Sequence, residues 1–205
     1  MATYEPHDKY YRKARARGLP SRAAFKLEEL ITRSKLIPRA GRVADLGCAP
    51  GGWLAILARA VGPEGRVVGV DLARCANPPA GVTTLVGDIT DPEVAARVLD
   101  ALGGGADLVT SDLSPRLSGI AERDEARFEE VLRAALAFAR RALKSGGAMI
   151  AKIFMGRDFK RIVAEFERDF ARVEVMRTAA TRPGSSELYV VARGFKAGEG
   201  TARSG

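Results

Sequence analysis

Asp45-Leu-Gly-Cys-Ala-Pro-Gly-Gly-Trp53 is the stretch on which the reading turns. On its amino side, Arg42-Val-Ala-Asp-Leu46 reads as a short buried strand; on its carboxyl side, the run from about Trp53 to Val61 reads as a helix. A glycine-rich turn between such elements lets the backbone approach a ligand closely and aims the free N–H groups of the helix start at it. A dinucleotide site would want Gly-x-Gly-x-x-Gly, whereas this segment reads Gly47-Cys-Ala-Pro-Gly51-Gly52. No Gly-Lys-Ser/Thr triplet follows, which excludes a P-loop.

Outward from that turn the pattern repeats. Arg66 to Asp71 and Thr83 to Gly87 read as the second and third strands. Thr90-Asp-Pro-Glu93 reads as a capping box, with Thr90 as the cap of a helix running to about Leu102. Asp107 to Ser111 is the fourth strand, and a long helix from about Glu122 to Leu143 is expected to stop at Gly146-Gly147. Ala148 to Phe154 is the fifth strand, followed by a helix over about Asp158 to Asp169. Two strand-like runs, Ala171 to Met176 and Leu188 to Ala192, have no helix between them and predict a late antiparallel hairpin. Upstream, Ser21 is the expected N-cap of a helix through about Ser34. Its apolar face is Ala23, Leu27, Leu30 and Ile31; Arg22, Lys26, Glu29 and Arg33 share the charged face. Alternating strands and helices predict an α/β domain over residues 21–195, its parallel sheet covered on both faces. A basic arm over 1–20 precedes it, and a Gly/Ala/Ser-rich tail over 196–205 is expected to be disordered.

The 205 residues include 46% hydrophobic and 28% charged, which is ordinary globular usage, but the net charge of +8 points to a polyanionic partner. Lys9, Arg12, Lys13, Arg15, Arg17, Arg22 and Lys26 crowd the front, with Tyr4, Tyr10 and Tyr11 among them. Such a segment can follow phosphates while its rings stack on bases; it reads equally well as a solvated arm. No signal peptide and no apolar run of roughly 20 residues is visible, so a cytoplasmic protein without a membrane partner is expected. Cys48 and Cys75 read as small fillers of a reduced protein. His7, the single histidine, lies in the arm; no ligand cluster is visible, and no metal is expected.

Asp71 ends the second strand, twenty residues past Gly51, where a carboxylate can bind ribose hydroxyls. Asp88 follows the third strand, within reach of a base in the same crevice, and Asp45 and Asp112 close the first and fourth. Singly, each reads as a cap or loop residue. Together, at successive carboxyl ends of strands, they predict a nucleoside-containing ligand. Lys152, flanked by apolar neighbours at the far end of its strand, is either snorkelling to the sheet edge or functional. Glu187 begins the last strand after Arg182-Pro-Gly-Ser-Ser186, so Lys152, Asp112 and Glu187 could share one edge. Lys26 reads, on its own helix, as a solvated charge.

These segments also carry a resemblance. Tyr11-Arg-Lys-Ala, Ser21-Arg-Ala-Ala-Phe-Lys-Leu27, the glycine-rich stretch, Ser111-Asp-Leu-Ser-Pro115, Ala151-Lys-Ile-Phe154 and Ser186-Glu-Leu-Tyr189 are similar to the FtsJ-like ribosomal RNA ribose 2′-O-methyltransferases, over roughly Lys9 to Gly194. The resemblance implies a seven-stranded, doubly wound, Rossmann-like methyltransferase fold with S-adenosylmethionine as cofactor. It implies a catalytic set of Lys26, Asp112, Lys152 and Glu187, with cofactor contacts at Gly51, Trp53, Asp71, Asp88 and Asp112. It also implies action on large-subunit ribosomal RNA, at a uridine ribose. With no exposed heptad or second domain visible, a monomer is expected. The chain departs from the common pattern at Ser114-Pro115-Arg116, where many members have Ala-Pro-Asn, and at Cys48. Transfer RNA, a small-molecule acceptor, and a non-catalytic ribosome-assembly role are the competing expectations.

Overall fold

The computed structural model describes residues 22–36, 39–115, 118–182 and 184–197. The basic arm, the Ser21 cap, His7, Arg116 and the tail beyond residue 197 lie outside them.

The elements in chain order are α1 (Arg22–Ser34), β1 (Arg42–Leu46), α2 (Gly52–Val61), β2 (Arg66–Asp71), β3 (Val82–Val86), α3 (Pro92–Leu102), β4 (Ala106–Ser111), α4 (Ala121–Ala142), β5 (Leu143–Phe154), α5 (Phe159–Asp169), β6 (Phe170–Met176) and β7 (Glu187–Phe195). The strands form one sheet in the order β3-β2-β1-β4-β5-β7-β6. Only β7 runs against the others, inserted antiparallel between β5 and β6. The predicted hairpin is therefore real, and its second strand turns back to pair with β5 as well.

Because successive strand residues face opposite sides, each strand feeds two cores. Ala44, Val68, Val109, Met149 and Val190 pack under α3, α4 and α5. Val43, Val67, Leu108, Ile150 and Val191 pack under α1 and α2. Helices on both faces explain why the central strands read as continuous apolar runs. On α1, Ala24, Leu27, Leu30 and Ile31 are buried, which rotates the apolar face slightly from the one expected.

Two local expectations are corrected. Asp91, not Thr90, caps α3: its Oδ1 accepts from the Glu93 N–H at 2.9 Å. Pro92, fixed at the first helical position, assigns the cap to the residue before it. Thr90 instead donates its N–H to Asp88 Oδ1 at 2.9 Å. Second, Gly146-Gly147 does not stop α4. The helix ends at Ala142 because Leu143 is extended and already pairs with Ala106 of β4. The glycines sit inside β5, in the irregular register between the Ala106↔Leu143 and Leu108↔Ala148 pairs. At the far end, Lys196 is anchored rather than loose, its N–H bonded to Asp169 O at 2.8 Å.

Candidate active site

The carboxyl edge of β4 and β5 brings the charged residues together. Asp112 leaves β4 with its N–H bonded to Leu46 O at 3.0 Å, which holds the chain against β1 as it turns off the sheet. Ser111 pairs with Ala151 in β5, so Lys152 lies beside Asp112. Lys152 Nζ stands 3.2 Å from Asp112 Oδ1 and donates to the Asp112 carbonyl at 2.9 Å. Across the sheet, β7 places Tyr189 opposite Lys152 and Glu187 opposite Phe154.

Lys26 reaches this edge from α1, and its Nζ lies 2.6 Å from Glu187 Oε1. Thr181 Oγ1 donates to the same oxygen at 3.3 Å. Tyr189 sits between the two ion pairs. Its hydroxyl donates to Asp112 Oδ1 at 3.1 Å, and Lys26 Nζ lies over its ring, 5.8 Å from the centroid. Burial, then the Asp112 and Glu187 charges, push the Tyr189 phenol far above its ordinary value, so it stays a neutral donor. Lys152 is 7% exposed and Lys26 and Glu187 14% each, which is low for such side chains.

The set Lys26, Asp112, Lys152 and Glu187 is thus one cluster. Reasoning from the residues alone placed Asp112, Lys152 and Glu187 at the sheet edge and left Lys26 on a solvated face. That face does exist: Glu29 pairs with Arg33 at 3.0 Å. Lys26 departs from it because Ala24 and Leu27 dock α1 on the sheet and turn Lys26 toward β7. Only the match to Ser21-Arg-Ala-Ala-Phe-Lys carried that signal.

Beside the cluster lies a cavity of about 250 Å³ over the ends of β1, β2 and β4, lined by Gly47, Asp71, Leu72, Asp88, Asp112 and Leu113 among others. Gly47 has φ 82°, and a Cβ there would come within 3.0 Å of the Leu113 nitrogen, so the loop touches its neighbour backbone to backbone. Gly51, at φ 111°, is the N-cap of α2; a Cβ would sit 3.0 Å from Cys75 Sγ. Asp71 Oδ2 accepts the Ala49 N–H at 3.0 Å and its Oδ1 the Ala73 N–H at 2.8 Å, so this carboxylate also shapes the loop.

Of the expected ligand contacts, Asp71, Asp88 and Asp112 line the cavity, whereas Gly51 and Trp53 are not among its lining residues. The Trp53 indole is buried against Tyr189, and its N–H is committed to Ala23 O at 2.9 Å. Asp45 lies under the edge, fully buried. Thr110 Oγ1 donates to its Oδ1 at 2.7 Å, while Oδ2 has no partner. Burial holds its carboxyl up at about 7, with the Asp112 and Asp71 charges adding to the rise and the Thr110 hydrogen bond opposing it. Among the described residues, no group of three or more His, Cys, Asp and Glu side chains is placed to hold a metal ion.

Known proteins resemble this chain in sequence and fold. The family model described as FtsJ-like methyltransferase matches residues 19–195. A protein of Methanoculleus marisnigri named ribosomal RNA large subunit methyltransferase E is 46% identical over 196 residues, covering 96% of this chain and 95% of that protein. A protein of the same name from Anaeromyxobacter dehalogenans is 45% identical over 194 residues, covering 94% and 73% respectively. Among solved structures, a Plasmodium falciparum protein assigned as a ribosomal RNA methyltransferase superposes with a TM-score of 0.75 at 23% identity, over 85% of this chain and 97% of that one. The Aeropyrum pernix fibrillarin with natively bound S-adenosyl-L-methionine superposes at 0.57 and 20% identity, over 83% and 73%.

Proposed function

Because the chain belongs to the FtsJ-like methyltransferase family, we propose that it transfers a methyl group from S-adenosylmethionine to a ribose 2′-hydroxyl of large-subunit ribosomal RNA, with a uridine as the target. The observation that carries this reading is the two partly buried ion pairs, Lys152–Asp112 and Lys26–Glu187, meeting at one sheet edge beside a carboxylate-lined cavity. The relatives' shared name supports large-subunit RNA as the substrate class. A monomer acting in the cytoplasm without a metal completes the proposal.

The cavity fits the cofactor chemically. Asp71, Asp88 and Asp112 line it, an anionic set that repels the phosphates of a dinucleotide. S-adenosylmethionine has no phosphate and bears a sulfonium and an ammonium, so the same charges attract it. Asp71 and Asp88 would hold the ribose and base, Leu72 and Leu113 the apolar faces, and Asp112 the end nearest the reacting carbon. When bound, the cofactor supplies an electrophilic methyl carbon.

The protein's own work is alignment and proton transfer. Asp112 grips Lys152 Nζ through both its carboxylate and its carbonyl, leaving the remaining direction on nitrogen for the incoming hydroxyl. For this step Lys152 would first release its ammonium proton to solvent; the amine's lone pair would then accept the hydroxyl proton as the methyl carbon exchanges its bond to sulfur for one to the 2′-oxygen. The resulting ammonium is offset by Asp112, whose Oδ1 is fixed in turn by the Tyr189 hydroxyl. Lys26 and Glu187 flank the ribose: the ammonium faces the neighbouring phosphate, and the carboxylate accepts a sugar hydroxyl.

The test supplies cofactor labelled in the methyl group with undermethylated large ribosomal subunits, small subunits and total tRNA. A 2′-O-methyl removes the nucleophile of alkaline cleavage, so label in alkali-resistant dinucleotides of large-subunit RNA is expected. Label confined to tRNA, or in alkali-labile mononucleotides, would overturn the substrate or the acceptor atom respectively.

A further inference from the structure

The same edge carries a second cavity, of about 300 Å³, on the side covered by α4 and α5. Phe128 and Phe154 form its floor, their rings meeting edge to face at 4.6 Å, and Phe159 and Ile162 of α5 close its back. Met155, 55% exposed, stands at the mouth. The cavity adjoins the proposed catalytic set. Ser114 lies two residues beyond Asp112, Phe154 two beyond Lys152, and Ser186 immediately before Glu187. The Met155 N–H bonds to Ser186 O at 2.8 Å, tying the rim together. Ser114 and Pro115 line both this cavity and the cofactor cavity, so the two open on either side of one short loop.

Shape and charge identify the occupant. Apolar walls with an aromatic pair suit a flat ring that stacks. The charged lining is mostly anionic, in a chain of net charge +8, with Asp124, Glu125, Glu129 and Asp158 around the cavity and Arg157 the single cation among its described lining residues. Asp124 is committed to Ser118 and Gly119, and Glu129 and Asp158 to Arg161. Glu125 makes no hydrogen bond or ion pair with any described residue. A carboxylate there turns away a phosphate and accepts an N–H, which selects the base of a nucleotide over its backbone. Phe154 follows Lys152 by roughly 7 Å of strand, with its ring on the α4 side against Phe128, while Lys152 lies opposite Tyr189, which packs on the other face. A nucleotide whose ribose meets Lys152 at this edge has its own base, or an adjacent one, within reach of Phe154 across the strand end.

We propose that this cavity receives a nucleobase of the substrate RNA beside the methylated ribose, its face against Phe154 and Met155 and an N–H edge toward Glu125. The proposal rests on the RNA-methylation reading above and extends it from the reacting sugar to the base.

The test measures single-turnover methylation by wild type, Glu125→Ala and Met155→Ala on three RNAs: intact, abasic at the methylated nucleotide, and abasic at both its neighbours. On intact RNA each variant is expected to lose about tenfold in kcat/KM, with cofactor affinity and melting temperature unchanged. The loss should vanish on whichever abasic RNA lacks the docked base, which distinguishes the target base from a neighbour. Full activity of both variants on intact RNA, or losses that persist on both abasic RNAs, would overturn the base pocket while leaving the methyltransferase reading intact. If wild type methylates no RNA, that reading falls and the pocket with it.

Discussion

Asp45 shows how much a single side chain depends on depth. At the end of the first strand it reads singly as a cap or loop residue and, with three other carboxylates, as part of a nucleoside site; in the fold it is fully buried, with one oxygen bonded to Thr110 and the other unpartnered. Its folded value of about 7 lies above the unfolded value of 3.8. The folded state therefore binds the proton more tightly, and the stability this provides is complete below pH ~4 and lost as pH rises through ~7. The full span corresponds to about 4 kcal/mol. Denaturant melts of Asp45→Asn between those pH values should be nearly flat where those of wild type fall; parallel slopes would refute the assignment. Tyr189 supplies a second expectation at this scale. Tyr189→Phe removes the donor to Asp112 and should cost about 1–2 kcal/mol of unfolding free energy, read from the same melts. Residue identities at strand ends were legible as a set, whereas depth, which separates Asp45 from Asp71, was not.

The strands flanking the glycine-rich turn were legible because central parallel strands are buried on both faces and read as short apolar runs between loops. Local signals failed where the surrounding structure overrode them. The expected end of α4 near Leu143 is one residue from the observed Ala142, but the reason differs: pairing of Leu143 with Ala106 ends the helix, and Gly146-Gly147 lie within β5. Thr90 and Asp91 are both competent caps, and the position of Pro92 chooses between them. Asp91→Ala should lower stability by about 1 kcal/mol, visible as a reduced melting temperature, while Thr90→Ala, whose side chain does not cap α3, should leave it nearly unchanged. Lys26 is the element-scale counterpart. A helix periodicity says which residues share a face but not what meets its border, and here β7 meets it with Glu187.

For the whole molecule, the alternation of elements predicted the sheet and the late hairpin, but strand order needed the structure. The insertion of β7 between β5 and β6 is what carries Tyr189 and Glu187 to Lys152 and Lys26, and no local pattern encodes it. The net charge of +8 also acts at this scale. RNA affinity should fall at least about tenfold between roughly 50 and 200 mM salt as counterions are released, while cofactor affinity, set by a local cavity, changes little; filter binding and calorimetry separate the two. The central claim is that Lys152, held by Asp112, takes the proton from a ribose hydroxyl. Single-turnover transfer of labelled methyl to large-subunit RNA by Lys152→Ala, followed across pH with cofactor binding measured in parallel, tests it most directly. The account predicts intact cofactor binding and a rate lowered by about a hundredfold or more at every pH. Wild-type rates in Lys152→Ala throughout would contradict it.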